Sequence, residues 1–164
     1  MRPKIGTLGV AASIAAALIF GVVLATEVPG PPATDLKLAP ALSFSDDSSP
    51  NFPIEGKNLS DGSVAADHAT VIFFGTANCW NTAREAERLV QLYPRYKDEI
   101  RFDVVDLRNP SLAQRAMIAR YYHGYIPTIA VIDSKGNLLY DRAGETASER
   151  GDTSNLQKLL DSAH

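Results

Sequence analysis

Hydrophobic residues in the second half of the chain recur with two periods, and the shorter period predicts strands. Thr70 to Phe74 is a short β-rich apolar run, typical of a strand buried on both faces. Ile100 to Leu107 alternates imperfectly and predicts a second strand. Thr128 to Ile132 predicts a third strand, and the turn formers at 134–137 join it to a fourth strand at Leu138 to Tyr140.

The longer period predicts three helices between and after these strands. The first has apolar residues at helical spacing and should end at Pro94. The second should open at Asn109-Pro110, a capping side chain followed by proline, and run to about Tyr122. The apolar positions are Ala83, Ala86, Leu89, Val90 and Tyr93 in the first helix, and Leu156, Leu159, Leu160 and Ala163 in a terminal helix. The order β-α-β-α-β-β-α implies an α/β fold, a mixed sheet with helices on both faces.

Charged residues of the first helix are predicted to form its solvated face. They are Arg84, Glu85, Glu87 and Arg88, with spacing that allows i,i+3 ion pairs.

An apolar stretch without charge precedes all of these elements. Ile5 to Thr26 is long enough to cross a bilayer, and Arg2 and Lys4 lie before it. Because positive charge tends to stay in the cytoplasm, the domain is expected to be extracytoplasmic, on the bacterial periplasmic side. Residues 1–26 are therefore predicted to be a membrane anchor. The alternative is a cleaved signal segment, with small residues near Ala25, which would leave the domain secreted.

Residues 27–63 are rich in proline and serine and are predicted to be an extended linker. Six of the ten prolines lie there, at Pro29, Pro31, Pro32, Pro40, Pro50 and Pro53. Phe44, Phe52 and Ile54 leave an alternative open, in which part of the segment docks on the folded domain 64–164 as an extra strand.

Composition excludes several classes of function. With 16 basic and 19 acidic residues the net charge is -3, so no nucleic-acid partner is expected. One cysteine excludes an internal disulfide and a multi-cysteine zinc site. His68, His123 and His164 are far apart in sequence, and we therefore predict no metal site and no cofactor.

Cys79 is the residue whose position suggests chemistry. It follows the first strand and opens the first helix, where unpaired N–H groups and the helix dipole favour thiolate over thiol. The alternative is an inert, buried cysteine that acts as a small hydrophobic residue. Far along the chain, Ile126-Pro127-Thr128 places a proline directly before a strand.

The element order, the position of Cys79 and Ile126-Pro127-Thr128 together resemble the thioredoxin superfamily. The resemblance extends from Val71 to the C-terminus and implies a thioredoxin-like three-layer sandwich, here preceded by an N-terminal apolar helix. It also implies that Pro127 is cis and packs against Cys79, and that the Ile126 backbone pairs with an extended substrate peptide. Trp80 is either a surface for that partner or a packing residue.

Three positions depart from the family pattern. The Cys-x-x-Cys site reads Cys79-Trp80-Asn81-Thr82, so the resolving cysteine is replaced by Thr82, whose hydroxyl is expected to hydrogen-bond the Cys79 thiolate. The buried acid of the family would fall on Phe73, and the tryptophan before the cysteine is Asn78.

Three functions stay open on this basis. The first is monothiol exchange with protein thiols or disulfides through Cys79 and Thr82, which leaves enzymatic turnover uncertain. The second is a redox-inactive binding or scaffold module of a membrane complex. The third is peroxide reduction, because Thr76 and Cys79 match a Thr-x-x-Cys pattern, although the accompanying proline is absent. The oligomeric state is left open.

Overall fold

The computed structural model describes residues 36–55, 62–65, 67–143 and 151–163. Within them lie six strands and three helices. In chain order these are β1 (Lys37–Leu38), β2 (Ile54–Glu55), β3 (Ala69–Gly75), α1 (Trp80–Tyr96), β4 (Ile100–Asp106), α2 (Leu112–Tyr121), β5 (Thr128–Ile132), β6 (Leu138–Ala143) and α3 (Ser154–Asp161). The strands and helices predicted from the hydrophobic periods are confirmed.

The main sheet is mixed and has the order β4-β3-β5-β6. Strand β3 runs parallel to β4 and antiparallel to β5, and β5 pairs antiparallel with β6. The parallel pair needs a crossover connection, which α1 supplies. A separate two-stranded sheet is formed by β1 and β2.

Two apolar clusters on opposite faces of the sheet make the fold a three-layer sandwich. One contains Val71 and Phe73 of β3 together with Leu89 of α1 and Leu160 of α3. The other contains Ile72 and Phe74 of β3 with Met117 and Tyr121 of α2. Neighbouring residues of β3 point to opposite faces, so both faces of the strand are apolar and buried. The predicted thioredoxin-like architecture, with helices on both faces of a mixed sheet, is confirmed for the described residues.

The start of α2 differs from the prediction. Its N-cap is Ser111, whose hydroxyl accepts from Gln114 N while the Gln114 side chain accepts from Ser111 N, a reciprocal capping box. Asn109 instead belongs to the turn after β4, where its backbone and side-chain nitrogens both donate to Asp106. Because the capping box at Ser111 satisfies two backbone N–H groups at once, the helix begins there. The prediction that Asn109-Pro110 opens the helix was wrong.

Helix α1 also continues past the residue predicted to end it. Pro94 lies inside the helix, which ends at Tyr96. Proline removes one backbone donor there, but Tyr93 and Tyr96 are both buried on the core face. Burial of these rings favours one more helical turn over an early end.

Two charged residues of α1 that were expected to face solvent are buried. Glu85 is 1% exposed and Arg88 is 2% exposed, and their side chains form an ion pair. Arg88 Nη1 also donates to the carbonyl oxygen of Asp152 at 3.2 Å. The segment before α3 thus covers this part of α1, which spacing along the helix alone does not reveal.

Residues 36–55 include buried positions and secondary structure. Leu36 and Ile54 are buried in the same apolar cluster as α1, and the Phe52 ring contacts the Phe73 ring edge to face at 6.3 Å. Phe52 and Ile54 therefore pack on the folded domain, and Phe44 is half-buried. The strand at Ile54 pairs with β1 in the separate two-stranded sheet and does not extend the main sheet.

Within the ranges that the structure describes, no helix has both the length and the apolar composition to span a bilayer. The predicted anchor, Ile5 to Thr26, lies outside those ranges, and its insertion into a membrane stays a prediction.

We expect Arg88→Ala to lower the free energy of unfolding by about 3–5 kcal/mol, because it leaves the Glu85 carboxylate buried without its counter-charge. The double variant Glu85→Leu/Arg88→Met, which removes both charges, should recover much of this loss. Arg115→Ala, at an exposed position of α2, is the control. Urea denaturation of the three variants checks the ordering, and an Arg88→Ala loss no larger than that of the control would contradict it.

A second prediction concerns Tyr96, whose hydroxyl donates to Asp161 and ties α1 to α3. Burial, reinforced by that hydrogen bond, raises the pKa of Tyr96 from 10.0 to about 12. The folded state holds this proton more tightly than the unfolded state, so stability should fall as pH rises from about 10 to about 12. Tyr96→Phe should lose less stability across this interval, while exposed Tyr125→Phe should behave as wild type in denaturation series at each pH.

Candidate functional site

The sheet brings the two sequence-predicted parts of the site to one edge. Strands β3 and β5 are antiparallel neighbours, with Phe74 opposite Thr128. The carboxyl end of β3, which leads to Cys79, therefore lies beside the amino end of β5, which Pro127 precedes. Direct packing of Pro127 against Cys79, which the resemblance implies, stays a prediction.

Cys79 is the N-cap residue of α1, as the sequence predicted. Its backbone is extended, with φ -148 and ψ 106, and its carbonyl oxygen accepts from Ala83 N at 3.1 Å. The sulfur makes no capping hydrogen bond, and the residue is half-buried. The half-buried cysteine therefore lies at the positive end of the α1 dipole, and part of the residue is accessible to solvent.

Asn78 turns the chain immediately before the cysteine. Its φ is 53, in the left-handed region, where asparagine is one of the few residues with a side chain that occurs readily. Its N–H donates to the carbonyl oxygen of Ser49 at 2.9 Å. The residue that replaces the family tryptophan thus sets the backbone direction from which Cys79 enters α1.

Thr82 faces the end of β3 rather than solvent. It is fully buried, and a Cβ built on Gly75 would lie 2.5 Å from Thr82 Cγ2. Only glycine at position 75 allows the first turn of α1 to approach the strand this closely. Thr82 Oγ1 has no hydrogen-bond partner among the described residues. The hydrogen bond from Thr82 to the Cys79 sulfur that we expected is therefore not formed in this structure.

The loop around Pro127 is held by an internal hydrogen bond, and two of its side chains are exposed to solvent. The Ile126–Pro127 peptide bond is cis, as the resemblance implied, and Pro127 is buried. The Thr128 hydroxyl donates to the carbonyl oxygen of Tyr125 at 2.6 Å, which closes the turn around the proline. Tyr125 is 66% exposed and Ile126 is 41% exposed. The turn thus presents two large apolar side chains to solvent at the edge of the sheet where β3 ends.

Trp80, which follows Cys79, is half-buried. The Arg84 guanidinium lies over its ring, with 5.4 Å from Cζ to the ring centroid. This cation–π contact joins successive turns of α1 beside the cysteine.

Two residues from the segment predicted as a linker also reach this site. Asp47 Oδ1 accepts from Trp80 N at 3.0 Å, and the Ser49 carbonyl accepts from Asn78 N. The spacing of residues within one helix or strand could not predict these contacts, because 33 residues separate Asp47 from Trp80. A turn is predicted by the run Asp46-Asp47-Ser48-Ser49, but the run does not indicate which residues that turn contacts.

Two features limit the chemistry that this site supports. The chain has a single cysteine, and the position of the family's buried acid is the fully buried Phe73. Among the described residues no group of three His, Cys, Asp or Glu side chains is arranged to hold a metal ion.

No family model matches the chain, and no curated protein matches it. Solved structures similar to it include an uncharacterized thioredoxin-like protein from Clostridium perfringens, with 20% identity over 59% of this chain and 71% of that one and a TM-score of 0.48. Mitochondrial thioredoxin 3 from Saccharomyces cerevisiae has 18% identity over 58% and 78%, with a TM-score of 0.44. Fasciola hepatica thioredoxin has 16% identity over 60% and 83%, with a TM-score of 0.47. The fold assignment rests on the sheet order and helix placement of this chain.

The contact between Gly75 and Thr82 generates a prediction. Gly75→Ala should lower the free energy of unfolding by about 1–3 kcal/mol, because the new methyl group overlaps Thr82 Cγ2. Thr82→Ser removes that atom, so the penalty of Gly75→Ala should shrink in the Thr82→Ser background. A double-mutant cycle by chemical denaturation measures the difference. Equal penalties in both backgrounds would show that the methyl overlap is not the cause.

Proposed function

We propose that this thioredoxin-like protein performs monothiol–disulfide exchange with protein partners through Cys79. The observation that supports this is the position of a single, half-buried cysteine at the N-terminus of α1, on the sheet edge that also carries the Pro127 loop. A thioredoxin-like fold is consistent with partners that bring a thiol or a disulfide.

The proposed reaction proceeds in two exchange steps. The Cys79 thiolate attacks one sulfur of a partner disulfide, one S–S bond forms, the old S–S bond breaks, and the partner's other sulfur leaves as a thiolate that takes a proton from water. A second thiol, from a small-molecule thiol or from the partner, then attacks the mixed disulfide and regenerates Cys79. Because the chain has one cysteine, it does not itself become oxidised to an internal disulfide.

Residues around Cys79 have separate roles in this proposal. The exposed Ile126 and the turn at Pro127 would receive an extended segment of the partner, and Trp80 would border it. Thr82 packs against Gly75 and so positions the first turn of α1, at which Cys79 is the N-cap, without a hydrogen bond to the reacting sulfur.

The location of the reaction is part of the proposal. The uncharged stretch from Ile5 to Thr26 with Arg2 and Lys4 before it supports a membrane anchor and an extracytoplasmic domain. Disulfides persist in such compartments, so partner disulfides are available there.

A second candidate is a binding module that retains the fold and the loop at Pro127 without redox turnover. Two observations favour it, the absence of a second cysteine and the missing hydrogen bond between Thr82 and the Cys79 sulfur.

Reaction of the purified protein with a small aromatic disulfide separates the two candidates. We expect the folded wild type to release one aryl thiolate per chain, at least as fast as the denatured chain does, and to keep the other aryl group on Cys79. Cys79→Ser should release none. Release by the denatured chain but not by the folded protein would overturn the exchange mechanism and leave the binding module.

A matched variant tests the role of the replaced resolving residue. Thr82→Cys restores Cys-x-x-Cys with a side chain of similar size. It should release a second aryl thiolate as an internal disulfide forms, whereas the wild type stops at the mixed disulfide. If the wild type also released a second equivalent without added thiol, the single-thiol mechanism would be wrong.

A further inference from the structure

Residues 43–49, which we call the clasp, contact the backbone on both sides of Cys79. Asn78 N donates to the Ser49 carbonyl oxygen at 2.9 Å, and Trp80 N donates to Asp47 Oδ1 at 3.0 Å. The clasp therefore holds the residue before the cysteine and the residue after it. These contacts join parts of the chain that are far apart in sequence, and the exchange reaction does not require them.

The clasp is also braced internally. The Ser43 hydroxyl accepts from Asp46 N at 3.2 Å, and Asp46 Oδ1 accepts from Ser48 N at 2.9 Å. Ser49 is 3% exposed, and its hydroxyl accepts from Ser43 N. Hydrogen bonds from Ser48 and Ser43 lower the pKa of Asp46. Asp47 is thus carried on a loop with a defined shape.

Asp47 places a carboxylate at the positive end of the α1 dipole. A negative group there stabilises the helix, and no acidic residue of the helix itself lies in its first turn. The same positive end would stabilise a thiolate on Cys79, the N-cap residue. Two negative groups at one helix terminus repel each other, so a docked Asp47 carboxylate acts against negative charge that Cys79 carries when it attacks.

We propose that the clasp is an intramolecular brake, in which Asp47 lowers the nucleophilicity of Cys79 while it is docked on α1. Asp47 is a positioning and charge-setting residue and takes no part in bond making. When a partner displaces residues 43–49, the Asp47 carboxylate leaves the N-terminus of α1. The positive end of the helix dipole then acts on Cys79 without a competing negative charge. The brake thus adds regulation to the proposed exchange reaction and rests on that function for its biological meaning.

A different role for Asp47, as a helix cap alone, makes other predictions. A cap contributes to stability, and its loss costs about 0.5–2 kcal/mol. A pure cap would change stability without changing the reactivity of Cys79 in the folded state. Asp47→Asn separates the two roles, because it removes the charge and keeps a side-chain oxygen that can accept from Trp80 N.

The test is the rate at which a neutral alkylating reagent modifies Cys79 in the folded full chain at neutral pH and low salt. We expect Asp47→Asn to react about two- to fivefold faster than wild type, the range for an exposed charge at a helix end. Asp98→Asn is the control, because it removes the same charge at an exposed position just beyond the opposite end of α1. It should react within about 1.5-fold of wild type.

Salt dependence provides a readout that a merely structural role would not change. At about 1 M salt the screening length is about 3 Å, so the rates of wild type and Asp47→Asn should converge. Equal rates for wild type and Asp47→Asn at low salt would overturn the brake. An equal acceleration in Asp98→Asn would also overturn it, since the effect would then reflect net charge rather than the docked contact. Denaturation curves of each variant confirm that the folded protein is being measured.

The brake and the proposed function fail in different ways. If Asp47→Asn is alkylated faster but neither protein forms a mixed disulfide with the aromatic disulfide, the exchange function fails and the brake on thiol reactivity stands. If wild type and Asp47→Asn form the mixed disulfide equally fast, the exchange function stands and the brake fails.

Discussion

Burial of β3 on both faces is the constraint on which the rest of the structure depends. Every residue from Ala69 to Gly75 is buried, and alternate side chains enter the two apolar clusters. A shift of one residue in this strand would exchange the two sets of side chains, so its register is fixed from both sides. That register sets where the strand ends, and the end of the strand sets where Cys79 begins α1 and where β5 places Pro127.

Periodicity predicted the parts of the fold that depend on local pattern. The apolar run at Thr70 to Phe74 and the helical spacing from Ala83 to Tyr93 each correspond to one element, because burial repeats along them. The buried pair of Glu85 and Arg88 was missed, since the Asp152 carbonyl that Arg88 contacts lies 64 residues away. The cap of α2 was missed for a different reason, because Asn109 and Ser111 are both good capping residues and only their other hydrogen bonds decide between them.

The candidate site was predictable in its chemistry but not in its surroundings. A cysteine after a strand and before a helix, with a proline before a later strand, indicated both the thiol and its position. The conformation of Asn78, the tight approach of Thr82 to Gly75 and the docking of Asp47 depend on residues distant in sequence. They decide how the thiol is held, which spacing along one element does not encode.

The position of Trp80 has a consequence for how this molecule can be observed. It is the only tryptophan of the chain, and it is covalently next to the only cysteine. Intrinsic indole emission therefore comes from the first turn of α1, with no second indole to obscure it. The half-buried ring lies under the Arg84 guanidinium in the first turn of α1, so its spectrum is a built-in optical reporter of the end of the helix that carries the thiol.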